Sequence, residues 1–267
     1  MSSYQYPPVP IDRGNFISPV LYLTVLWRDG GCLGTNFTET IHHNTYPAID
    51  SANADLTGKI IYITGASRGV GYETAISCAK AGAKGIALGA RSDFTTIETE
   101  IHSAALAAGK NAPKVLKLKV DVANQANVDS VANEIEKVFG RLDILINNAG
   151  FLSEFKPLVE TDPVAWWTNW EVNIKGVYLV TRSLLPLMLK GGEKTIVNIS
   201  SIGGLALAPG ASGYHPSKFA LLRFTEFICT DYAKQGVLAY CIHPGGVKTE
   251  LSLKMPVARQ VREYSWP

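Results

Sequence analysis

Short apolar runs alternate with longer mixed stretches along most of this chain, and the alternation begins abruptly at Lys59. Six runs read as strands: Ile60–Thr64, 85–89, 115–120, Ile144–Asn147, Thr195–Ile199 and 237–243. They read as apolar throughout rather than alternating, the pattern expected when a parallel sheet is covered on both faces. Between them, the periodicity predicts helices over 72–81, about 93–108, Gln125–Phe139, 164–189 and 214–234. Strands separated by helices of this length predict an α/β fold, a doubly wound parallel sheet of the Rossmann type. No internal repeat or low-complexity segment interrupts the pattern.

The first 58 residues lack this texture. Pro7, Pro8 and Pro10 open the chain, and Gly30, Gly31 and Gly34 follow. The one apolar run there, 17–27, is too short to span a bilayer, which needs about 20 apolar residues. Proline-rich flanks and the lack of a clear small-residue cleavage site also argue against a signal peptide. The expected organisation is an irregular extension over 1–55 and one domain over 56–267.

Composition narrows the function classes. The chain has 267 residues, 46% hydrophobic and 18% charged, enough for one sizeable core. A net charge of +2 is too weak a bias to indicate nucleic acid or an anionic membrane as partner. Cys32, Cys78, Cys229 and Cys241 are scattered, and the five histidines show no metal-ligand spacing. Reduced thiols in a cytoplasmic protein without a metal site are therefore expected.

Two stretches carry candidate chemistry. The first is Gly65-Ala66-Ser67-Arg68-Gly69-Val70-Gly71, between the first strand and its helix. Glycines there permit a tight turn and let a pyrophosphate approach backbone amides at the helix start. The second is Tyr214-His215-Pro216-Ser217-Lys218. Residues four apart share a helix face, so an ammonium lies beside a phenol. At roughly 5 Å and an effective dielectric of about 20, that charge favours phenolate by about 3 kcal/mol, which predicts a lowered phenol pKa. Pro216 is tolerated only in the first turn of a helix, so this helix is expected to open at Gly213 or Tyr214. Most Tyr-x-x-x-Lys pairs lie on ordinary helix surfaces, so this pair gains meaning only from its context.

The ordered series of motifs supplies that context. Thr64-Gly65-x-x-x-Gly69-x-Gly71, then Asn147-Asn148-Ala149-Gly150, Asn173, Ser201, Tyr214 with Lys218, and Pro244-Gly245 together resemble the short-chain dehydrogenase/reductase family over about residues 56–255. Residues 37–49 are similar to lead-in segments of its fungal members. The resemblance implies hydride transfer between a nicotinamide cofactor and an alcohol or ketone. It implies that Tyr214 is the general acid/base and that Lys218 lowers its pKa and holds the nicotinamide ribose. It further implies that Ser201 holds the substrate oxygen and that Asn173 holds a water linking Lys218 to solvent. Ser67, Arg68 and Val70 would bind cofactor with the turn's glycines, as would Asn147, Gly150, Pro244, Gly245 and Thr249, while Asp121 would contact adenine or simply cap a helix. No acid follows the second strand; Arg91 and Arg68 instead match positions where the family binds a 2′-phosphate, so NADP(H) is expected ahead of NAD(H).

Phe151, Phe155, Leu205, Leu207 and Pro209 suggest an apolar substrate wall and a lipophilic secondary alcohol or ketone; ordinary loop packing explains them nearly as well. The partners expected are that small molecule and a second copy of the chain in a homo-oligomer. Family members continue past the sixth strand with a further helix and a seventh strand, and the 22 residues after Gly245 are too few for both. The expectation is a sheet lacking them, with 237–243 as an exposed apolar edge unless the N-terminal extension covers it. A non-catalytic nucleotide-binding or interaction protein is the alternative that this departure leaves open.

Overall fold

The computed structural model describes residues 49–255. Expectations placed on 1–48 and 256–267, including the 17–27 run and Cys32, lie outside these residues. Six strands, β1 (Ile60–Thr64), β2 (Gly85–Ala90), β3 (Lys114–Lys119), β4 (Ile144–Asn147), β5 (Thr195–Ile199) and β6 (Leu238–Ile242), form one parallel sheet in the order β3-β2-β1-β4-β5-β6. The helices are α1 (Gly69–Lys80), α2 (Ile97–Ala107), α3 (Gln125–Phe139), α4 (Pro163–Trp170), α5 (Val177–Leu189) and α6 (Tyr214–Tyr232). This is the predicted Rossmann-type doubly wound sheet. The strand order reverses between β1 and β4, which opens a crevice at the carboxyl ends of these two strands.

Successive side chains of a strand face opposite sides, and the core divides accordingly. Ile61, Ile63, Ile86, Leu88, Ile144 and Ile146 pack with Ala75, Ala79, Ile97 and Ile101 on the α1 and α2 side. Tyr62, Ala87, Leu145, Ile196 and Ala239 pack with Val128, Ile135, Leu184 and Ile228 on the other side. Local chemistry sets the helix ends. The Asn124 side chain caps α3 by accepting from Asn127 N at 3.1 Å, and Gly140 closes it at a φ of +73°, where a side chain would be strained.

Three expectations need correction. β3 is not apolar throughout: it reads Lys-Val-Leu-Lys-Leu-Lys, with all three lysines exposed. It is an edge strand, and outward lysines oppose strand addition there. The predicted 164–189 helix is α4 and α5 joined by a π-helical turn over Glu171–Gly176, which inserts an extra residue and turns Asn173 fully inward. The first helix also starts earlier than 72, at Gly69, so part of the glycine turn is helix. β6 is the other edge among the described residues, with Ile242 43% exposed. No helix among these residues is long and apolar enough to cross a membrane.

Candidate active site

The glycine turn lies at the carboxyl end of β1 and runs directly into α1. Gly65 has a φ of +66°, and a β-carbon there would lie 2.8 Å from the Ala149 Cα. At Gly71 a β-carbon would lie 2.4 Å from Asn148 Nδ2 and 2.6 Å from the Gly65 carbonyl oxygen. Both positions are held to glycine by the end of β4, not by an empty crevice. Arg68 precedes α1 and makes no side-chain cap, so the first amides of α1 keep their hydrogens for another acceptor. Ser67 Oγ and Ser92 Oγ share a hydrogen bond of 2.8 Å, which fastens the turn to the segment after β2 that carries the exposed Arg91. A phosphate-bearing dinucleotide fits these donors and these positive charges.

The end of β4 joins the glycine turn to the second candidate stretch. Asn148 Nδ2 donates to the carbonyls of Thr64 and Gly65 at 2.9 and 3.1 Å, and Thr64 Oγ1 accepts from the amides of Asn148 and Ala149, both at 3.0 Å. One residue further, a β-carbon on Gly150 would lie 3.9 Å from Lys218 Nζ and 3.5 Å from Asn173 Oδ1. The Tyr214–Lys218 pair therefore opens on the same end of the sheet as the glycine turn. α6 begins at Tyr214 after Gly213, as Pro216 requires. Lys218 Nζ lies 5.7 Å from the Tyr214 ring centroid and donates to the Ile199 carbonyl at 2.7 Å. Ser201 Oγ accepts from Gly203 N at 3.0 Å and lies near enough to the phenol of Tyr214 to lower its pKa slightly.

The predicted lowering of the phenol pKa is not what this arrangement gives. Burial pushes Tyr214 up, with the Ser201 hydroxyl as a smaller opposing effect, and burial pulls Lys218 down to about 8. Both groups are at most 5% exposed, so desolvation disfavours each charged form. The ammonium also points at a carbonyl rather than at the phenol oxygen. A testable pH dependence follows. The folded Lys218 value lies below the unfolded 10.5, so from about pH 8 upward the unfolded chain holds the extra proton and stability rises with pH. Cys78, which burial pushes up to about 12, and Cys241, also pushed up by burial, work the other way from about pH 9 upward. Denaturant unfolding without cofactor is expected to show a gain of about 1 kcal/mol between pH 7.5 and 9, followed by a plateau or decline. The gain should vanish in Lys218→Met; a gain that survives this change would assign it elsewhere.

Two predicted site residues are also held in hydrogen-bond networks within the fold. Asn147 faces the α5 and α6 side of the sheet, away from the glycine turn, because side chains alternate along β4. Its Nδ2 donates to Thr181 Oγ1 at 3.1 Å and Asn198 Oδ1 at 2.9 Å, and Asn198 continues to Thr225. It braces the sheet to α5, and its neighbour Asn148 makes the contact with the glycine turn. Asn173 Oδ1 accepts from Phe151 N, while its Nδ2 donates to the Phe151 carbonyl and to Ser217 Oγ, all at 2.9–3.0 Å. Its side-chain amide braces the loop after β4 against α6.

Asp121 lies just after β3, where one carboxylate oxygen accepts from Ala123 N at 3.0 Å; Asn124, not Asp121, caps α3. Pro244 and Gly245 follow β6, and Thr249 reaches the glycine turn, where its Cγ2 would lie 3.2 Å from a β-carbon on Gly69. Sequence reasoning passed over Asn148 and Ser217. The adjacent asparagines and the serine beside the lysine were visible, but only the sheet face and the position of the π turn distinguish their roles.

The loop after β4 and the loop after β5 border Tyr214. They are linked by Lys156 N donating to the Gly210 carbonyl at 3.1 Å, and the Phe155 ring meets His215 edge-on at 5.9 Å. Leu207 stands 80% exposed in the second loop, and Lys254 Nζ lies 5.2 Å from the Phe151 ring centroid. Cys78, Cys229 and Cys241 are free thiols, and no cluster among the described residues could hold a metal ion.

The family model described as short chain dehydrogenase matches residues 59–259. Short chain dehydrogenase mpl6 of Monascus purpureus is 52% identical over 223 residues, covering 84% of this chain and 76% of that protein. Short chain dehydrogenase pigC of Monascus ruber is 42% identical, covering 80% of this chain and 71% of that protein. A short chain dehydrogenase from Escherichia coli CFT073, solved in complex with NADPH, is 30% identical with a TM-score of 0.65, covering 72% of this chain and 78% of that one.

Proposed function

This chain belongs to the short chain dehydrogenase family and is an oxidoreductase, and on that premise we propose that it transfers a hydride between NADP(H) and a lipophilic secondary alcohol or ketone. The observation that carries the reading is the meeting of the glycine turn with the Tyr214–Lys218 pair through Asn148, Ala149 and Gly150. The nicotinamide, when bound, supplies or accepts the hydride. The uncapped start of α1 holds the pyrophosphate, and Arg68 and Arg91 favour a 2′-phosphate. The E. coli relative solved with NADPH is in keeping with this choice.

In the reducing direction, Ser201 orients the substrate oxygen and Tyr214 donates a proton to it. The raised pKa of Tyr214 keeps the phenol protonated at neutral pH, as a proton donor must be. Lys218 binds the nicotinamide ribose and, once protonated, steadies the phenolate that proton transfer leaves behind. Asn173 acts through Phe151 and Ser217, holding the loop after β4 against α6.

The apolar border of Phe151, Phe155 and Leu207 supports a lipophilic substrate. Bulky ketones are expected to be reduced with kcat/KM at least about tenfold above charged keto acids, since each buried methylene contributes about 1–3 kcal/mol to discrimination. NADPH oxidation across such a panel checks this, and a preference for small charged acids would reject it. The free thiols are in keeping with a cytoplasmic setting, and the exposed Trp167 and Phe219 with a homo-oligomer.

A further inference from the structure

Arg68 and Glu250 lie far apart in the chain but form an ion pair of 2.9 Å across the mouth of the glycine turn. The contact is part of a larger seam. Thr249 packs over Gly69, as its 3.2 Å approach to a β-carbon there records. Thr249 is itself fixed in a tight turn: its amide donates to Ser252 Oγ at 2.8 Å, and its Oγ1 accepts from Ser252 N at 3.2 Å. The segment after β6 thus presents the Glu250 carboxylate to Arg68 from a fastened turn. On the other side of the same turn, the Ser67–Ser92 hydrogen bond holds Arg91 nearby. On the NADP(H) reading, Arg68 and Arg91 would serve the ribose 2′-phosphate, and Arg68 already has an anionic partner.

We infer that Glu250 is a specificity-determining residue: its carboxylate occupies the Arg68 guanidinium that a 2′-phosphate would engage, and so tempers the preference for NADPH over NADH. The inference rests on the NADP(H) reading proposed above. A carboxylate and a phosphate compete for the same planar fork of donors, and a phosphate dianion brought beside Glu250 is also repelled by it. NADH carries no 2′-phosphate and is indifferent to this competition. Arg68 and Glu250 side chains are 65% and 69% exposed, so solvent and salt screen the effect and keep it modest. An increase in NADPH affinity of about fivefold is the scale expected when the carboxylate is neutralised, largest at low ionic strength.

The test is fluorescence titration of the full chain with NADPH and with NADH. It compares the unaltered protein, Glu250→Gln, Arg68→Gln and the double variant at two salt concentrations. Glu250→Gln is expected to lower the Kd for NADPH about fivefold and to leave that for NADH within twofold. The gain should shrink at high salt and disappear in the Arg68→Gln background. An unchanged or raised Kd for NADPH in Glu250→Gln overturns the inference while leaving the cofactor reading intact. Equal tightening of NADPH and NADH also overturns it, because the cause would then be loosening of the segment after β6 rather than competition for Arg68. If the unaltered chain binds neither dinucleotide, the cofactor reading fails first and the inference falls with it.

Discussion

Tyr214→Phe is expected to lower kcat for ketone reduction by about a thousandfold, in the middle of the range that a positioned general acid contributes. The change removes one oxygen and leaves the ring in place. Tyr214 is 5% exposed at the opening of α6, beside Ser201. Losing the hydroxyl should cost folding only about 1 kcal/mol, so the variant stays folded. Cofactor affinity should change little, because Lys218 and the glycine turn are untouched. A large fall in kcat with a nearly constant Kd for NADPH is the expected signature of lost proton transfer. Steady-state kinetics with separate dinucleotide titration checks it. Equal rates for the two proteins would remove Tyr214 from the mechanism and favour a nucleotide-binding protein that does not turn over.

Asp143→Ala should give the largest loss of stability of any single change considered, about 3 kcal/mol, and lower Tm by about 10 °C. Asp143 is completely buried at the amino end of β4, the end of the sheet opposite the proposed site. Its carboxylate accepts from Ile60 N at 2.8 Å, Glu193 N at 3.2 Å and Arg141 Nε at 3.1 Å. It thereby ties together the starts of β1 and β4 and the lead into β5. Alanine leaves the Ile60 amide buried without an acceptor, and burying a polar group unpaired costs about 1–3 kcal/mol. Arg141 retains its bond to the Gly58 carbonyl at 2.9 Å and is partly solvated, which limits the damage. Because the staple is remote from Tyr214, the folded fraction should keep its kcat. Chemical denaturation paired with kinetics measures both; a loss below 1 kcal/mol would contradict the role assigned to this carboxylate.

Much of this molecule was determined by local sequence. β1, β4, β5 and α3 stand where apolar runs and a capping asparagine place them, because strand burial and helix capping depend on neighbours along the chain. The start of α6 follows from Pro216 alone. The meeting of glycine turn, β4 end and Tyr214–Lys218 pair was expected from the order of the motifs. Only the tertiary structure decided which of two adjacent asparagines holds the glycine turn, since a strand sends Asn147 and Asn148 to opposite faces. It also decided the ionisation of the pair. A phenol–ammonium spacing is written in the sequence, but the balance between desolvation and charge attraction depends on what buries both groups. The π turn that sinks Asn173, the Asp143 staple and the Arg68–Glu250 seam each join segments distant in the chain. Such contacts arise from packing between elements, which no local pattern records.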